Sequence, residues 1–501
     1  MSASREIFKG FLSQLEDLIQ AGQLKDARLL LKKITLREIP RVYIQAVASF
    51  ARRAELPGLG LKLLNPIVRP QRKKMIHATE LEKIEYAFCL SNCGAQKESL
   101  DLLETIEVPQ TPQALLAKSS ALIQSWNAKD AISLLKTYVV SPAISHFDRL
   151  AGQVSLVSAF VYEGQTFEAD ILISKLLKDT ERFNLLHGKL LCYQIQNCIQ
   201  AKNWGEAEKI LQKTATYLTE MEEEDLLLFS KWNAIFHCYQ KDCHPDALEE
   251  LKKVREKAFG LKNWETVRHC DFYRATLTKN IALAHRLYFG TPYASFRNKL
   301  NAEFENALLL PNVYPLALGP ASGNPQKLNF LIEEMSDVKS MKHGQASHRA
   351  LLALASDFYR PLRVTTLHSA LYPDEFFNPF SSRDRVHQVL RRLRLTLKQL
   401  QFPLAIEEAD GLYSLTAKAA VQLFVPKEVT AKDRTQFQME SLQTRWPSET
   451  FSVSQAASHL QIETRTALIL LQKALEQGEI SRTGKGPATR YAFEQSKSVA
   501  A

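Results

Sequence analysis

From Ser382 to Leu400 the apolar residues Val386, Leu390, Leu393, Leu397 and Leu400 recur at helical spacing and form one stripe. At about 100° per residue, Asp384, Arg385, Gln388, Arg391, Arg392 and Leu395 point away from that stripe and Arg394 lies on its flank. The outer face is therefore mostly basic and amide-bearing. After the helix the period shortens: Leu404-Ala405-Ile406 and Leu412-Tyr413-Ser414-Leu415 read as two short strands joined through Asp410-Gly411.

The first part of the chain repeats itself. Gly22-Gln-Leu-Lys-Asp-Ala27, Gly94-Ala-Gln-Lys-Glu-Ser99 and Gly164-Gln-Thr-Phe-Glu-Ala169 each set a Gly five residues before a small residue that opens an amphipathic, Leu-bearing helix. Copies without the Gly follow at Trp126 to Ala131, Lys202 to Ala207 and Asp242 to Ala247. Taking Ala27, Gly60, Ser99, Ala131, Ala169, Ala207 and Ala247 as markers, the spacing is about 32 to 40 residues, the range of helix-turn-helix repeats. A small residue at the crossing lets two helices approach, and Gly ends the preceding helix. The expected fold is mainly α: an α-solenoid over residues 1–290, with the repeats clearest over about residues 5 to 290.

Near residue 290 the pattern breaks. Phe296 to Leu310 reads as a last helix, and Pro311, Pro315, Gly319-Pro320 and Pro325 mark an irregular boundary within 291–345. Lys327 to Met341 reads as a further helix. Residues 346–420 then hold helices at Ala346 to Phe358, Thr365 to Tyr372 and Ser382 to Leu400 before the hairpin, the element order of a winged helix. A second such unit is expected over 430–495: helices Asp433 to Arg445, Ser452 to Leu460 with Ser452 as N-cap, and Glu463 to Gln477, then a basic, Gly-rich wing from Gly478 to Tyr491.

Charge adds direction. The 501-residue chain carries a formal net charge of +10, and residues 341–501 hold about 21 Lys plus Arg against about 15 Asp plus Glu, so the basic bias sits mainly in the C-terminal third and favours polyanionic partners. Seven scattered cysteines without a C-x-x-C pair, no signal-peptide core and no long uncharged apolar run predict a cytoplasmic protein with no membrane segment.

The segment from Ala346 to Leu415 resembles the winged-helix effector domain of OmpR/PhoB-class response regulators, through Val386, Leu390, Arg392-Leu393-Arg394 and Gly411-x-Tyr413-x-Leu415. Such domains open with a small sheet, and residues 311 to 345 offer no strand for it by pattern. The repeats look like a degenerate tetratricopeptide array, and the second unit is similar to the broader bacterial winged-helix class. The resemblance implies double-stranded DNA as a partner, read by Arg385, Gln388, Arg391 and Arg392 with Arg394 beside them. Arginine can pair with guanine, Gln with adenine, and both can hold phosphates. In the second unit Arg465, Arg482, Lys485 and Arg490 suit DNA contact, whereas outward-facing Leu468 and Ile469 suit a protein surface, so both partners stay open there.

Catalytic and cofactor signals are lacking. There is no G-x-x-x-x-G-K-[ST], no dinucleotide glycine motif and no G-x-S-x-G. His237, Cys238, Cys243, His244, His269 and Cys270 lack the tight paired spacing of a zinc site and read as ordinary residues of helical repeats. The expectation is a non-enzymatic, cofactor-free, metal-free DNA-binding transcriptional regulator of bacterial type, with a protein or peptide partner on the solenoid. The alternative is a PCI-like scaffold whose winged helices mediate protein assembly.

Overall fold

A computed structural model describes residues 2–20, 23–35, 38–70, 77–106, 111–221, 223–306, 308–320, 324–329, 331, 344–427, 434–484 and 486–493. It is mainly helical. Helices follow one another in pairs: α1 (Ser2–Gln20) and α2 (Leu24–Lys32), α3 (Ile44–Arg53) and α4 (Pro57–Val68), α5 (Glu80–Asn92) and α6 (Gln96–Glu104), α7 (Gln113–Gln124) and α8 (Ala128–Val139). The series continues with α9 (His146–Tyr162) and α10 (Thr166–Thr180), α11 (Asn184–Gln200) and α12 (Trp204–Ala215), α13 (Glu223–Gln240) and α14 (Pro245–Gly260), α15 (Trp264–Leu277) and α16 (Ile281–Phe289), and α17 (Ala294–Glu303). Within each of these pairs the two helices pack on each other.

The marker residues fall in the second helix of successive pairs, and all seven are buried. Ala27, Ser99, Ala131, Ala169, Ala207 and Ala247 have no exposed surface at all. At Gly60 the reason is direct, because an added Cβ would stand 2.5 Å from Cys89 Sγ, inside any real contact. Gly22 lies outside the described residues; five residues before the later markers the backbone turns into the left-handed region, with φ of +90° at Gly94 and +71° at Gly164. The same geometry persists where the sequence has no Gly, at Glu55 (φ 61°), Trp126 (62°), Lys202 (57°) and Asp242 (44°). The turn is thus conserved in shape while its favoured residue is not, and each non-glycine there carries a backbone penalty of about 1 kcal/mol. Lys202→Gly should accordingly raise unfolding stability by up to about 1 kcal/mol in denaturant titrations, less the entropy that Gly adds to the unfolded chain. No gain, or a loss, would show that the turn is not strained.

Helix starts follow ordinary capping rules. Thr79 and Glu82 form a capping box at α5, and Asn127, Asn203, Asn263 and Asn280 accept the third backbone N–H of α8, α12, α15 and α16.

Beyond α17 come β1 (Val313–Leu318), β2 (Gln326–Leu328), α18 (Ala346–Leu354), β3 (Leu362–Arg363), α19 (Val364–Leu371), α20 (Ser382–Gln399), β4 (Leu404–Ala409), β5 (Leu412–Ala417) and β6 (Val421–Pro426). Three expectations are corrected here. Residues 311 to 345 do hold strands, since β1 and β2 flank β6 in a three-stranded sheet of order β1-β6-β2 with β2 and β6 parallel. Pro315 is tolerated because β1 is an edge strand with one side free of the ladder. The helix expected from Lys327 starts instead as strand, Lys327 and Leu328 pairing with Gln422 and Leu423, and 332–343 lie outside the described residues. The last helix before this region ends at Glu303, short of the expected Leu310. A second sheet has the order β3-β5-β4. The chain closes with α21 (Arg434–Arg445), α22 (Val453–Leu460), α23 (Thr464–Glu476) and the antiparallel pair β7 (Ile480–Thr483) and β8 (Arg490–Phe493). Ser452 caps α22 as expected, in a capping box with Gln455.

The chain divides into two compact units that do not follow its order: residues 1–314, 354–387 and 407–415 form one, and 315–353, 388–406 and 416–501 the other. In the first unit, residues 354–387 are bound to the helical pairs at both ends of the segment. Both Asp357 carboxylate oxygens accept from Arg268 Nη2 at 2.8 Å, and Phe358 N donates to Gly290 O at 3.0 Å. Thr365 Oγ1 donates to Cys93 O, Phe377 N donates to Glu98 Oε2 at 2.9 Å, and the Arg69 guanidinium stands 3.5 Å above the Phe376 ring centroid. Phe377 belongs to the core that also contains Tyr86, Ala87 and Leu90. In the second unit, Leu442, Phe451, Leu471, Trp446 and Tyr491 form the core beneath the β7–β8 hairpin.

Candidate nucleic-acid interface and an internal cavity

Helix α20 has no Gly or Pro, and its apolar stripe is buried as the pattern predicts: Val386, Leu390, Leu393 and Leu397 are almost wholly inaccessible. Val389 joins them, while Leu400 is only partly covered. Burial of that stripe leaves Gln388, Arg391 and Arg392 together on the exposed face, one helical turn apart. Leu395 is exposed beside them.

The flanking arginines are engaged within the protein. Arg385 forms a two-pronged ion pair with Glu375, Nη2 donating to Oε1 at 3.0 Å, and its guanidinium sits 4.0 Å over the Tyr372 ring. The hydrogen bond from Arg385 holds the Glu375 carboxyl below its usual range. Arg394 donates from Nη2 to Ile406 O at 3.0 Å, which ties the helix to β4. His387 Nε2 and Tyr413 Oη lie 2.8 Å apart and link the start of the helix to β5. Arg394 thus holds the helix to the hairpin, and Arg385 must leave Glu375 to meet a phosphate.

On the second hairpin, Arg482 and Arg490 are exposed on paired strands. Arg490 Nη1 donates to Thr489 O at 3.0 Å. Arg465 is exposed on α23. Lys485 lies outside the described residues. Leu468 and Ile469 are 39% and 60% exposed on the same helix as Arg465 and Lys473, so its outer face mixes two cations with two large apolar groups.

Sequence patterning did not point to a second site, inside the first unit. A cavity of about 920 Å³ is bounded by the turn between α7 and α8, the ends of α9 and α12, and faces of α11, α13, α15 and α17. Aromatic side chains cluster on one wall: Trp126 meets His269 edge-on at 4.9 Å and Phe296 at 4.8 Å, and Tyr162 stacks on His269 at 6.2 Å. Trp126 Nε1 donates to Glu265 Oε2 at 3.1 Å, joining the α7–α8 turn to α15. Lys299 Nζ donates to Tyr162 O at 3.0 Å, joining α17 to α9.

Lys231 also lines this cavity, on α13, with 2% of its surface exposed. Its ammonium lies 3.4 Å from His269 Nδ1 and 4.4 Å from the Trp232 ring centroid, and no carboxylate among the described residues pairs with it. Burial lowers the Lys231 pKa to about 8. Burial, reinforced by Lys231, Lys299 and Arg268, holds His269 well below the usual imidazole range, so His269 is neutral and Nδ1 can accept a hydrogen bond from the lysine ammonium. The signal for this site was faint: a lysine beside Trp232 in an otherwise apolar helical stretch.

The cysteines and histidines of this region play other parts. Burial pushes the Cys238 and Cys270 thiols up to about 12, His237 Nδ1 lies 2.7 Å from Glu250 Oε2, and His244 caps α14. Among the described residues no group of three or more His, Cys, Asp or Glu side chains is placed to hold a metal ion, and no helix is long and apolar enough to cross a membrane.

No protein-family model and no curated protein sequence matches this chain.

Proposed function

We propose that the chain is a DNA-binding transcriptional regulator of bacterial type, in which tetratricopeptide-like helical repeats receive a protein or other signal and two winged-helix units face DNA. The observation that carries this is the outer face of α20, where Gln388, Arg391 and Arg392 stand exposed on a helix whose other side is packed and which is followed directly by a hairpin. Side chains of this kind on one helical face can hold phosphates and reach base edges in a major groove. Arg465, Arg482, Lys485 and Arg490 would add phosphate contacts from the second unit.

The test is a mobility-shift titration against fragmented bacterial genomic DNA at low salt. Wild type should bind, Arg391→Glu with Arg392→Glu should abolish binding, and Arg391→Ala alone should lower the salt slope of log K by about one unit if it holds a phosphate. Absence of any binding by folded wild type at low salt would sink the proposal.

One observation favours a second role, that of a PCI-like scaffold. Leu468 and Ile469 are large, apolar and exposed on α23, which serves a protein surface better than a phosphate backbone. Light scattering separates the two: a defined assembly without DNA affinity supports the scaffold.

A further inference from the structure

This cavity, open to solvent on one side, has the makings of a ligand site that the helical packing alone does not require. A fully buried ammonium without a counter-ion is costly, and natural interiors rarely keep one. Lys231 is such a group, and it lies at the wall of an open space instead of inside packed apolar side chains. Around it are Cys192 of α11, His269 and Cys270 of α15, Lys299 of α17 and, on its own helix, Glu224 and Asp225. The two thiols are neutral at pH 7, because burial raises them, to about 12 in each case. His269 is neutral as well. Glu265, the carboxylate nearest the aromatic wall, is already taken by Arg268 and Trp126.

Aromatic rings form part of the remaining surface. Trp126 and Tyr162 face one side, and Tyr193, Phe272 and Tyr273 line the space as well. Flat π-surfaces beside a buried ammonium match a ligand with one negative group and a ring system, because the rings gain stacking contact while the anion supplies a counter-charge.

We propose that this cavity binds a small organic anion bearing an aromatic ring system, with Lys231 as its counter-ion and Trp126 and Tyr162 as its stacking walls. The site stands whether or not the chain binds DNA, and its readout is binding alone.

The experiment is a fluorescence titration of the full chain with 1-anilinonaphthalene-8-sulfonate, followed by energy transfer from the protein's tryptophans, Trp126, Trp204 and Trp232 being at the site, in parallel with its uncharged counterpart N-phenyl-1-naphthylamine. Wild type should bind one sulfonate per chain. Lys231→Met should weaken the sulfonate about tenfold or more, and should leave the uncharged probe within about threefold. The wild-type affinity for the sulfonate should also fall about tenfold or more from pH 7 to pH 9.5, as Lys231 loses its proton, and the affinity of Lys231→Met should stay flat. This pH profile keeps the test alive even if the substituted chain does not fold. Equal sulfonate binding by the folded variant, a flat wild-type profile, or no saturable binding would each overturn the proposal.

Discussion

Arg268→Ala should lower the unfolding free energy by about 3–5 kcal/mol, measured by urea titration at pH 7, because it strands a buried carboxylate. Arg268 has no exposed surface and Asp357 only 9%. Burial by itself would lower the Arg268 pKa, but the Asp357 and Glu265 carboxylates outweigh it and leave the guanidinium firmly charged. Asp357 also accepts the backbone N–H groups of Tyr359 at 2.9 Å and Arg360 at 3.0 Å, so its charge organises the turn that follows. The pair therefore fixes residues 354–387 on α15. A double replacement, Arg268→Met with Asp357→Leu, should cost less than Arg268→Ala alone, since it leaves no unpaired buried charge. If the single substitution were as mild as a surface change, the pair would not be holding that segment.

The second large effect has the opposite sign. Lys231→Met should stabilise the unliganded protein at pH 7, by up to about 3 kcal/mol, since one pKa unit is worth about 1.4 kcal/mol. Its folded pKa of about 8 lies below the ordinary lysine value of 10.5, so at neutral pH the folded state must carry a charge it disfavours. That cost is fully present below pH 8. As pH rises toward 10.5 the native lysine sheds its proton while the unfolded one keeps it, and the advantage of the variant should disappear across that window. Unfolding titrations of both chains at pH 7, 8.5 and 10 check this. A gap that is absent at pH 7, or that widens with pH, would contradict it. A stabilising substitution at a buried position is itself informative, because function commonly retains what stability alone would discard.

Much of the helical framework could be read from local pattern. The α20 stripe of Val386, Leu390, Leu393 and Leu397 was legible because both its period and its burial arise within one helix. The markers from Ala27 to Ala247 were legible because a tight helix crossing admits few side chains. Strands β1, β2 and β6 were not read, although Val421, Leu423 and Val425 alternate cleanly with more exposed neighbours. Their pairing joins residues about a hundred positions apart, and Pro315 and Gly319 gave the stronger local signal. Arg385 and Arg394 were placed on the expected sides of the helix, yet their engagement with Glu375 and Ile406 depends on loops and strands that periodicity does not position. The cavity was illegible for the same reason: Trp126 comes from a turn and Tyr162, Lys231 and His269 from three different helices, and a lone lysine in sequence reads as solvated.

The path of the chain through its two units bears on how it can be cut. Pro311 to Pro325 looks like a place to divide the chain, yet residues 354–387 return to the unit formed by residues 1–314. A fragment beginning near residue 315 would keep Asp357, Thr365 and Phe377 while losing Arg268, Cys93 O and Glu98, their partners. It would leave one buried charge and a stretch of apolar surface bare. Limited proteolysis of the intact chain should therefore yield nicked but undissociated halves. Transplanting the C-terminal part by itself, as one moves an independent module, should give an insoluble product.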